Sequence, residues 1–430
     1  MGHYTTRARI TFYPGSRLKT FHIVHAGGRV PVVHDRTPVM RTVRLYVPVR
    51  RRDLLASLGP VGVGGLAGCL GSIGGSSLDS PSPSPTATPR SVATGFGDVD
   101  LPVNGSEIET RLPKDGIPAI TDPAFGEDWG DWSAVPAAHR PDSSPVLVDE
   151  APVVGVERDG EARAYPLRIL DHHEVVNDSF GGPLLVTYCP LCGSAVVAVR
   201  EVRGEETVFG VSGKLWRNDL VLYDDATGSL WSQLLATAIR GPATGETFEL
   251  VPASLSTWGE WREVHPGTRV LLPPPGSVTV AGRESRVDYD ESKYDYEGET
   301  QVVGYDAAAS YTLVVGVVHG GEAVAYPFPA VREAGVVNDR VGDLPVVVAT
   351  TPGGSLVAYD RTVEGRTLRF SEADERHLHA DGSRWERTTG RGVDGPHEGV
   401  RLTRANSRSP LFRRAWEDFH PESRIWRPSG

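Results

Sequence analysis

The amino-acid sequence predicts an α+β fold, mostly antiparallel β, with two tandem similar lobes that arose by internal duplication. Three observations support this class. The composition is globular, with 430 residues, 39% hydrophobic and 23% charged, which is enough for a large core. Short runs rich in Val, Leu and Tyr alternate with Gly, Asp and Pro, a pattern typical of strands and turns. Several motifs of residues 145–275, the first lobe, occur again in the same order in residues 306–427, the second lobe.

The N-terminal segment predicts an export signal. Arg51 and Arg52 precede Asp53-Leu54-Leu55 and a short uncharged stretch that ends in Leu66-Ala67-Gly68-Cys69. A basic start, a short apolar stretch and a small-residue cleavage site are the parts of a secretory signal. The start resembles a twin-arginine signal, and the end resembles a lipobox in which Cys69 carries the lipid. We predict a twin-arginine lipoprotein signal at 40–69 and an extracytoplasmic, cell-surface, lipid-anchored protein.

Two further segments flank this signal. Residues 1–39 lie upstream of Met40, one of two methionines in the chain, and are interpreted as a gene-model extension. Residues 70–100 are rich in Ser and Pro and predict a disordered tether that holds the body off the membrane. The lipid anchor is the one membrane contact that the sequence predicts.

The net charge of −11 combines two different parts. Residues 1–69 carry 11 basic and two acidic side chains, whereas residues 70–430 have a net charge of −20. The acidic body argues against nucleic acid as a partner. Four of the 44 basic residues are Lys, and an acidic, Lys-poor body indicates a halophilic protein, although a high-GC genome also favours Arg. Three Cys in the chain exclude a disulfide-rich scaffold.

The elements of the first lobe follow from its turns and apolar runs. Asp159-Gly160 between two apolar runs predicts a hairpin, and Pro166 before a mixed apolar run predicts a short helix. The predicted elements are strands 153–158 and 161–165, a helix at 166–176, strands 184–188, 195–200, 207–212, 220–223 and 229–233, and a helix at 258–265. The second lobe repeats the series, with 153–156 matching 314–317, 160–166 matching 321–327, and 175–178 matching 336–339.

Differences between the two copies point to chemistry. Features that occur in both copies are interpreted as structural, and features of one copy as candidates for function. Cys189 and Cys192 are replaced in the second copy by Thr and Gly, and His172-His173 by Glu-Ala. The first lobe is therefore interpreted as the active one, and the second as a scaffold or a diverged partner.

The cysteine pair has three interpretations. The run Cys189-Pro190-Leu191-Cys192-Gly193 places two thiols at i and i+3 in a tight turn, so that both can face one atom. Such thiolates bind zinc, copper or iron, with His173 or His172 as a further ligand or with a second pair across a dimer. The same spacing serves dithiol redox chemistry. The third interpretation is a disulfide without further function.

Four other polar residues near strand ends are candidates to line a pocket, and each fits a turn or cap equally well: Ser212, Asn218, Asp219 and Gln233. The run 212–219 has no clear counterpart in the second copy. The sequence contains no Ser-His-Asp elbow, phosphate loop or Rossmann fingerprint.

Residues 187–193 (Thr-Tyr-Cys-Pro-Leu-Cys-Gly), together with 209–213, 223–224 and 229–233, resemble an uncharacterised bacterial and archaeal family. It is the domain of unknown function 3179 family. The run 173–178 is similar to the His-Glu-x-x-Asn-Asp pattern of that family. The resemblance covers most of residues 145–360. It implies no established activity, and it implies that His173, Cys189 and Cys192 belong to the family signature.

Three functions follow from these patterns. The leading hypothesis is an exported, lipid-anchored protein that binds copper or zinc through Cys189, Cys192 and His173, with His172 as an alternative ligand. The second is an extracytoplasmic thiol–disulfide oxidoreductase. The third is a non-catalytic surface binding module. The sequence names no substrate and no protein partner.

Overall fold

The structure is a computed structural model, and it describes residues 90–283, 287–293 and 311–428. The predicted extension at 1–39 and the signal at 40–69, with Arg51, Arg52 and Cys69, lie outside the described residues. Of the predicted tether, residues 90–100 are described, and they form most of a two-stranded hairpin. Within these described ranges, no helix is long and apolar enough to span a membrane.

The predicted α+β class with two lobes is wrong. The described chain is mostly β, with 43% strand and 14% helix, and its sheets are arranged as a six-bladed β-propeller. The four α-helices have seven residues each, which is too short to build a helical layer. The contacts place all the described residues in one compact unit.

Five short strands come first, and they are β1 (Arg90–Thr94), β2 (Gly97–Leu101), β3 (Glu109–Thr110), β4 (Ile120–Asp122) and β5 (Phe125–Gly126). The rest of the first half contains β6 (Pro152–Arg158), β7 (Glu161–Pro166), α1 (Leu167–His173), β8 (Val175–Ser179), β9 (Pro183–Cys189), β10 (Ser194–Val199), β11 (Glu201–Val202), β12 (Glu205–Glu206), β13 (Phe209–Trp216), β14 (Asp219–Asp224), β15 (Leu230–Ser232), β16 (Thr237–Arg240), β17 (Ala253–Thr257), α2 (Trp258–Val264), β18 (Arg269–Leu271) and β19 (Val278–Thr279).

The second half contains β20 (Leu313–His319), β21 (Glu322–Pro327), α3 (Phe328–Ala334), β22 (Val336–Val341), β23 (Leu344–Thr350), β24 (Leu356–Asp360), β25 (Thr362–Val363), β26 (Arg366–Thr367), β27 (Ser371–Glu372), β28 (His377–Ala380), β29 (Ser383–Glu386), β30 (Leu411–Phe412), α4 (Arg413–Phe419) and β31 (Arg424–Ile425).

Six sheets of three to five strands correspond to the blades. Those of the first half have the strand orders β17-β6-β7-β18-β5, β10-β9-β8-β4-β19 and β16-β15-β14-β13-β3. Those of the second half have the orders β30-β20-β21-β31, β22-β23-β24 and β27-β28-β29. The pairing is mostly antiparallel, and β18 with β7, β4 with β8 and β21 with β31 pair in parallel.

Local turn chemistry explains the first hairpin of each half. Asp159 and Gly160 join β6 to β7 with φ values of 52° and 81°, as a two-residue type I′ turn requires. Gly320 and Gly321 join β20 to β21 with φ values of 59° and 81°. In both halves the hairpin ends in a proline directly before a short helix, where the missing N–H of proline costs no hydrogen bond.

Repeated residues make repeated contacts in the two halves. The hydroxyl of Tyr165 donates a hydrogen bond to Asp178 at 2.6 Å, and that of Tyr326 donates one to Asp339 at 2.9 Å. Each bond ties the second strand of a hairpin to the strand that follows the helix. These tyrosines therefore link successive sheets in both halves.

One of the four buried hydrophobic clusters in the described residues contains side chains from both halves. Cys189 and Cys192 lie in the same buried cluster as Val314 and Trp416 of the second half. Terminal strand β10 contacts β17 of one neighbouring sheet and β30 of another. Because this cluster and the contacts of β10 cross from one half to the other, the two halves are not the separate lobes that the sequence predicts.

Candidate functional site

The cysteine pair lies in the turn that joins β9 to β10. The N–H of Cys192 donates to the carbonyl of Cys189 at 3.0 Å, which closes a four-residue turn. Gly193 follows with a φ of 61°, a conformation that favours glycine. The Cα atoms of the two cysteines are 5.2 Å apart, and their sulfurs are bonded as a disulfide. Both residues are 1% exposed.

Asp219 reaches the cysteines from the hairpin of β13 and β14. It begins β14 directly after a two-residue turn with positive φ values. Its Oδ1 lies 3.7 Å from Sγ of Cys192, while its Oδ2 accepts hydrogen bonds from the Ser232 hydroxyl at 2.5 Å and the Leu234 N–H at 3.1 Å. The two sulfurs and a carboxylate oxygen lie within 4.8 Å of one another. We call Cys189, Cys192 and Asp219 the cysteine–aspartate site.

Burial controls the charges at this site. Asp219 is fully buried, and burial raises the pKa of its carboxyl group to about 7, against hydrogen bonds that lower it. Burial lowers the pKa of the neighbouring Arg408 to about 10, while the Asp219 charge raises it. Arg408 is therefore protonated at neutral pH, whereas Asp219 is near the midpoint of its titration. Such a carboxyl group can both donate and accept a proton near neutral pH.

The second half of the chain covers the cysteine–aspartate site. The N–H of Phe412 donates to the carbonyl of Cys192 at 2.7 Å. The Phe412 ring lies so close to Gly193 that a Cβ atom there would come within 2.7 Å of it. Leu191, at the tip of the turn, is 44% exposed. Both cysteines are thus buried, whereas Leu191 between them in the turn reaches solvent.

Neither predicted histidine joins the site. Among the described residues, the carboxylate of Asp219 completes the donor group around the two sulfurs. Both ring nitrogens of His173 have partners, with Nδ1 at 2.6 Å from the Pro118 carbonyl and Nε2 at 2.7 Å from the Tyr289 hydroxyl. Because a carbonyl oxygen only accepts, Nδ1 carries the proton and Nε2 accepts from Tyr289. Nε2 of His172 is buried without a hydrogen-bond partner in the described part of the chain, and burial lowers the pKa of both imidazoles.

The three other predicted pocket residues make structural contacts. Ser212 lies in an irregularity of β13 and donates to a backbone carbonyl of β14 at 2.5 Å. Asn218 has a φ of 59° in the turn before Asp219, and its amide donates to Asp418 at 3.0 Å. Gln233 is fully buried, and its Nε2 donates to the carbonyl of Ser194 at 3.0 Å.

The chain matches a protein family over most of its length. A family model described as "Protein of unknown function (DUF3179)" matches residues 114–423, which is most of the chain and includes the cysteine–aspartate site. The chain belongs to the DUF3179 family. The resemblance seen in the sequence is thereby confirmed. No curated protein and no solved structure matches it.

In this DUF3179 chain, the contact between Asp219 and Cys192 is the feature that sequence reasoning missed. Asp219 was predicted as one of four pocket residues, with no link to the thiols. Ser232, which orients Asp219, lies in the run 229–233 that resembles the family, but that run does not indicate its partner, and Phe412 carries no recognisable motif. One signal was available, because Asp219 ends the run 212–219, which lacks a counterpart in the second half just as the cysteines do.

Proposed function

We propose that Cys189 and Cys192 of this DUF3179 protein form a reversible thiol–disulfide couple, with Asp219 as its proton donor and acceptor. The observation that carries the proposal is the 3.7 Å distance between Oδ1 of Asp219 and Sγ of Cys192, beside a bonded cysteine pair. A purely structural disulfide needs no carboxyl group beside it, and burying a carboxyl group costs free energy.

The reaction is an exchange with a small dithiol. One thiolate of the dithiol attacks Sγ of Cys189, the bond between the cysteine sulfurs breaks, and Sγ of Cys192 leaves and takes the proton of Asp219. The second thiolate of the dithiol then attacks the other sulfur of the same dithiol, which is bonded to Cys189 in the mixed disulfide. This step releases Cys189, which takes a proton from solvent. A further proton from solvent restores Asp219. Two electrons and two protons pass from the dithiol, which becomes a cyclic disulfide, to the cysteine pair.

Asp219 and the turn act on different sulfurs in this scheme. Protonation by Asp219 makes Cys192 a better leaving group, because a thiol leaves faster than a thiolate of high pKa. The N–H of Cys192 points at Sγ of Cys189 at 3.3 Å and can stabilise negative charge there. Only a small reductant fits the proposal, because both cysteines are covered.

The rate of reduction tests the role of Asp219. Dithiothreitol is added at pH 7 under native conditions, and free thiols are trapped by alkylation over time. Asp219→Asn is expected to slow reduction roughly 10²-fold, the lower end of the effect of removing a general acid or base. Asp224→Asn is the matched control, since Asp224 is equally buried on the same strand but bonds to Thr227 and Trp231 instead. Equal rates in the three proteins would refute the proposal, as would a wild-type disulfide that dithiothreitol never reduces in the folded protein.

Metal binding by the reduced pair is a second candidate function, favoured by the convergence of two sulfurs and a carboxylate oxygen within 4.8 Å. Two thiolates and a carboxylate suit zinc or copper, with Asp219 in the place that the sequence hypothesis gave to His173. The bonded pair has to be reduced before it can bind. Reduced wild-type protein is therefore loaded with zinc or copper(I) beside Cys189→Ser/Cys192→Ser. One equivalent held by the wild type alone supports metal binding, and equal metal content excludes it.

Export and lipid anchoring through Cys69 stay predictions, because their residues lie outside the described ranges. The proposed couple suits the predicted extracytoplasmic location, where disulfides form and persist. A non-catalytic binding module is the outcome if neither reduction nor metal binding depends on the cysteine–aspartate site.

A further inference from the structure

A cavity of about 180 Å³ lies beside the cysteine–aspartate site. We call it the Arg408 cavity, and its walls include Ser194, Leu234, Arg404, Asn406 and Arg408. Two of these residues adjoin the site, because Ser194 pairs with Cys189 across the β9–β10 hairpin and Leu234 donates its N–H to Asp219. A water molecule needs about 10–15 Å³ of such space, so the cavity has room for a larger polyatomic ion.

The wall of the Arg408 cavity is positively charged. The guanidinium of Arg408 lies at this wall, because its acceptors Leu234 and Gly95 line the cavity too. Arg404 is a second basic residue of the lining, and none of the described residues that line it is Asp or Glu. This is unusual in a protein with a net charge of −11. The charge of Asp219 acts on Arg408, but no described residue forms a salt bridge with Arg408, and an anion in the cavity would offset the cost of burying this cation.

Arg408 keeps donors free for a ligand. Its Nε, Nη1 and Nη2 donate to the backbone carbonyls of Leu234, Gly95 and Leu235 at 2.6, 3.4 and 3.1 Å. These three bonds hold the guanidinium in place without neutralising it, since all three acceptors are uncharged. An arginine has five N–H donors, so two remain.

Arg404 is held in the same manner. Both of its bonds come from Nη2, to the Ser254 hydroxyl at 2.6 Å and the Thr388 carbonyl at 2.8 Å. Its Nε and Nη1 keep three N–H donors. The amide of Asn406, on the same segment, donates to the Gly316 carbonyl at 2.8 Å and retains a second N–H.

Ser194 supplies the observation that points to a ligand. Its side chain is fully buried, and its hydroxyl has no hydrogen-bond partner within the described part of the chain. A buried hydroxyl without a partner is rare in folded proteins, because leaving it unpaired costs about 1–3 kcal/mol. Ser194 lines the Arg408 cavity, so an oxygen acceptor in the cavity would complete its hydrogen bonding.

We propose that the Arg408 cavity binds a small oxyanion, with Arg408 and Arg404 as charged donors and the Ser194 hydroxyl as a neutral donor. Donors without acceptors, a buried positive charge without a salt bridge to any described residue, and limited volume together favour a compact anion with several oxygen atoms, such as inorganic phosphate, sulfate or acetate. This inference does not require the thiol–disulfide couple.

Calorimetric titration with phosphate, sulfate and acetate, at constant ionic strength set with chloride, tests the proposal. Saturable binding of one equivalent of at least one anion is expected. Arg404→Gln and Ser194→Ala should each weaken it, roughly tenfold or more for Arg404→Gln, because a charged hydrogen bond contributes about 1.5–3 kcal/mol. Arg408→Gln should abolish it, and the first two variants keep the test valid if Arg408→Gln does not fold.

Arg401→Gln is the matched control, because Arg401 lies on the same segment but is exposed and paired with Glu157 at 2.8 Å. It should bind the anion like the wild type. Cys189→Ser/Cys192→Ser should also bind it, which separates this inference from the proposed function. Absence of saturable binding in the wild type would overturn the inference. Equal affinity in the wild type, Arg404→Gln and Ser194→Ala would overturn it as well.

Discussion

Asn177 shows how one residue can hold two sheets together. Its Nδ2 donates to the carbonyls of Ile120 and Phe209 at 3.1 and 2.9 Å, and its Oδ1 accepts from the Phe209 N–H at 2.7 Å. Asn338 makes the same pair of bonds to Phe370, at 2.8 and 2.9 Å, but is less buried. The Asn-Asp motif repeated in the sequence is therefore a repeated link between sheets.

These contacts predict unequal effects on stability. Asn177→Ala should lower the free energy of unfolding by about 2–4 kcal/mol, because it leaves three buried backbone groups unpaired. Asn338→Ala should lower it less, by about 1–3 kcal/mol, with two groups left unpaired in a wetter position. Denaturant unfolding of both variants measures the difference, and a larger loss for Asn338→Ala would contradict this account.

At the scale of the element, the β9–β10 turn depends on Gly193 for two reasons. Its φ of 61° is strained for any residue with a Cβ atom, and such an atom would also meet the Phe412 ring at 2.7 Å. Gly204, which follows β11, has a φ of 78°, and nothing lies within 4 Å of the position that a Cβ atom would take there. Comparing alanine variants of the two glycines therefore distinguishes the cost of backbone strain from the cost of a steric clash with Phe412.

Gly193→Ala and Gly204→Ala are the corresponding variants. Gly204→Ala should cost about 1 kcal/mol, the strain of a left-handed conformation alone. Gly193→Ala should cost at least about 2 kcal/mol more, because overpacking against a buried ring adds to the strain. Chemical denaturation of both proteins measures these costs. Equal losses of unfolding free energy would mean that the Phe412 ring moves aside at no cost, which would contradict this account.

At the scale of the whole molecule, the first described hairpin packs on the last helix. The Phe96 ring, between β1 and β2, lies 5.6 Å from the Trp416 ring of α4 and 4.9 Å from the ring of His420, just after α4. Nε2 of His420 is buried with no partner in the ranges that the structure describes. Burial and, to a smaller extent, the charge of Arg408 together lower the pKa of His420 to about 4.

The buried His420 predicts that the protein loses stability in acid. The unfolded chain binds a proton at His420 below pH 6.5, whereas the folded protein binds it only near pH 4. Stability is therefore complete above pH 6.5 and falls by up to about 3 kcal/mol as the pH drops to 4. His420→Gln should flatten the dependence of unfolding free energy on pH in this range. A wild-type curve retained in His420→Gln would disprove the assignment.

Local patterns predicted the strands better than they predicted the architecture. The hairpin around Asp159-Gly160 and the helix at Trp258–Val264 follow from turn residues and short apolar runs, and both are present in the structure. The two-lobed α+β class was wrong because seven-residue helices form no layer. The way that β10 meets β17 and β30 depends on contacts between residues far apart in the chain, which periodicity does not encode.

The sequence predicted only part of the candidate site, because the rest depends on contacts between residues that are far apart in the chain. The i, i+3 spacing brings Cys189 and Cys192 together within one turn, which a local motif can encode. The histidines were chosen because they were near in sequence and absent from the second half, yet both nitrogens of His173 are occupied elsewhere. Asp219 meets Cys192 only because two adjacent sheets pack against each other.

The cover that Phe412 places over the cysteine turn has a consequence for the order of events during synthesis. About 220 residues separate Cys192 from Phe412, so the ribosome needs roughly 10–40 s to produce the cover after the thiols have emerged. Throughout that interval the two thiols are open to oxidants, large enzymes included, and to metal ions. The oxidation state that the cysteine pair has when Phe412 covers it is therefore the starting state of the finished protein, and only small reagents can change it afterwards.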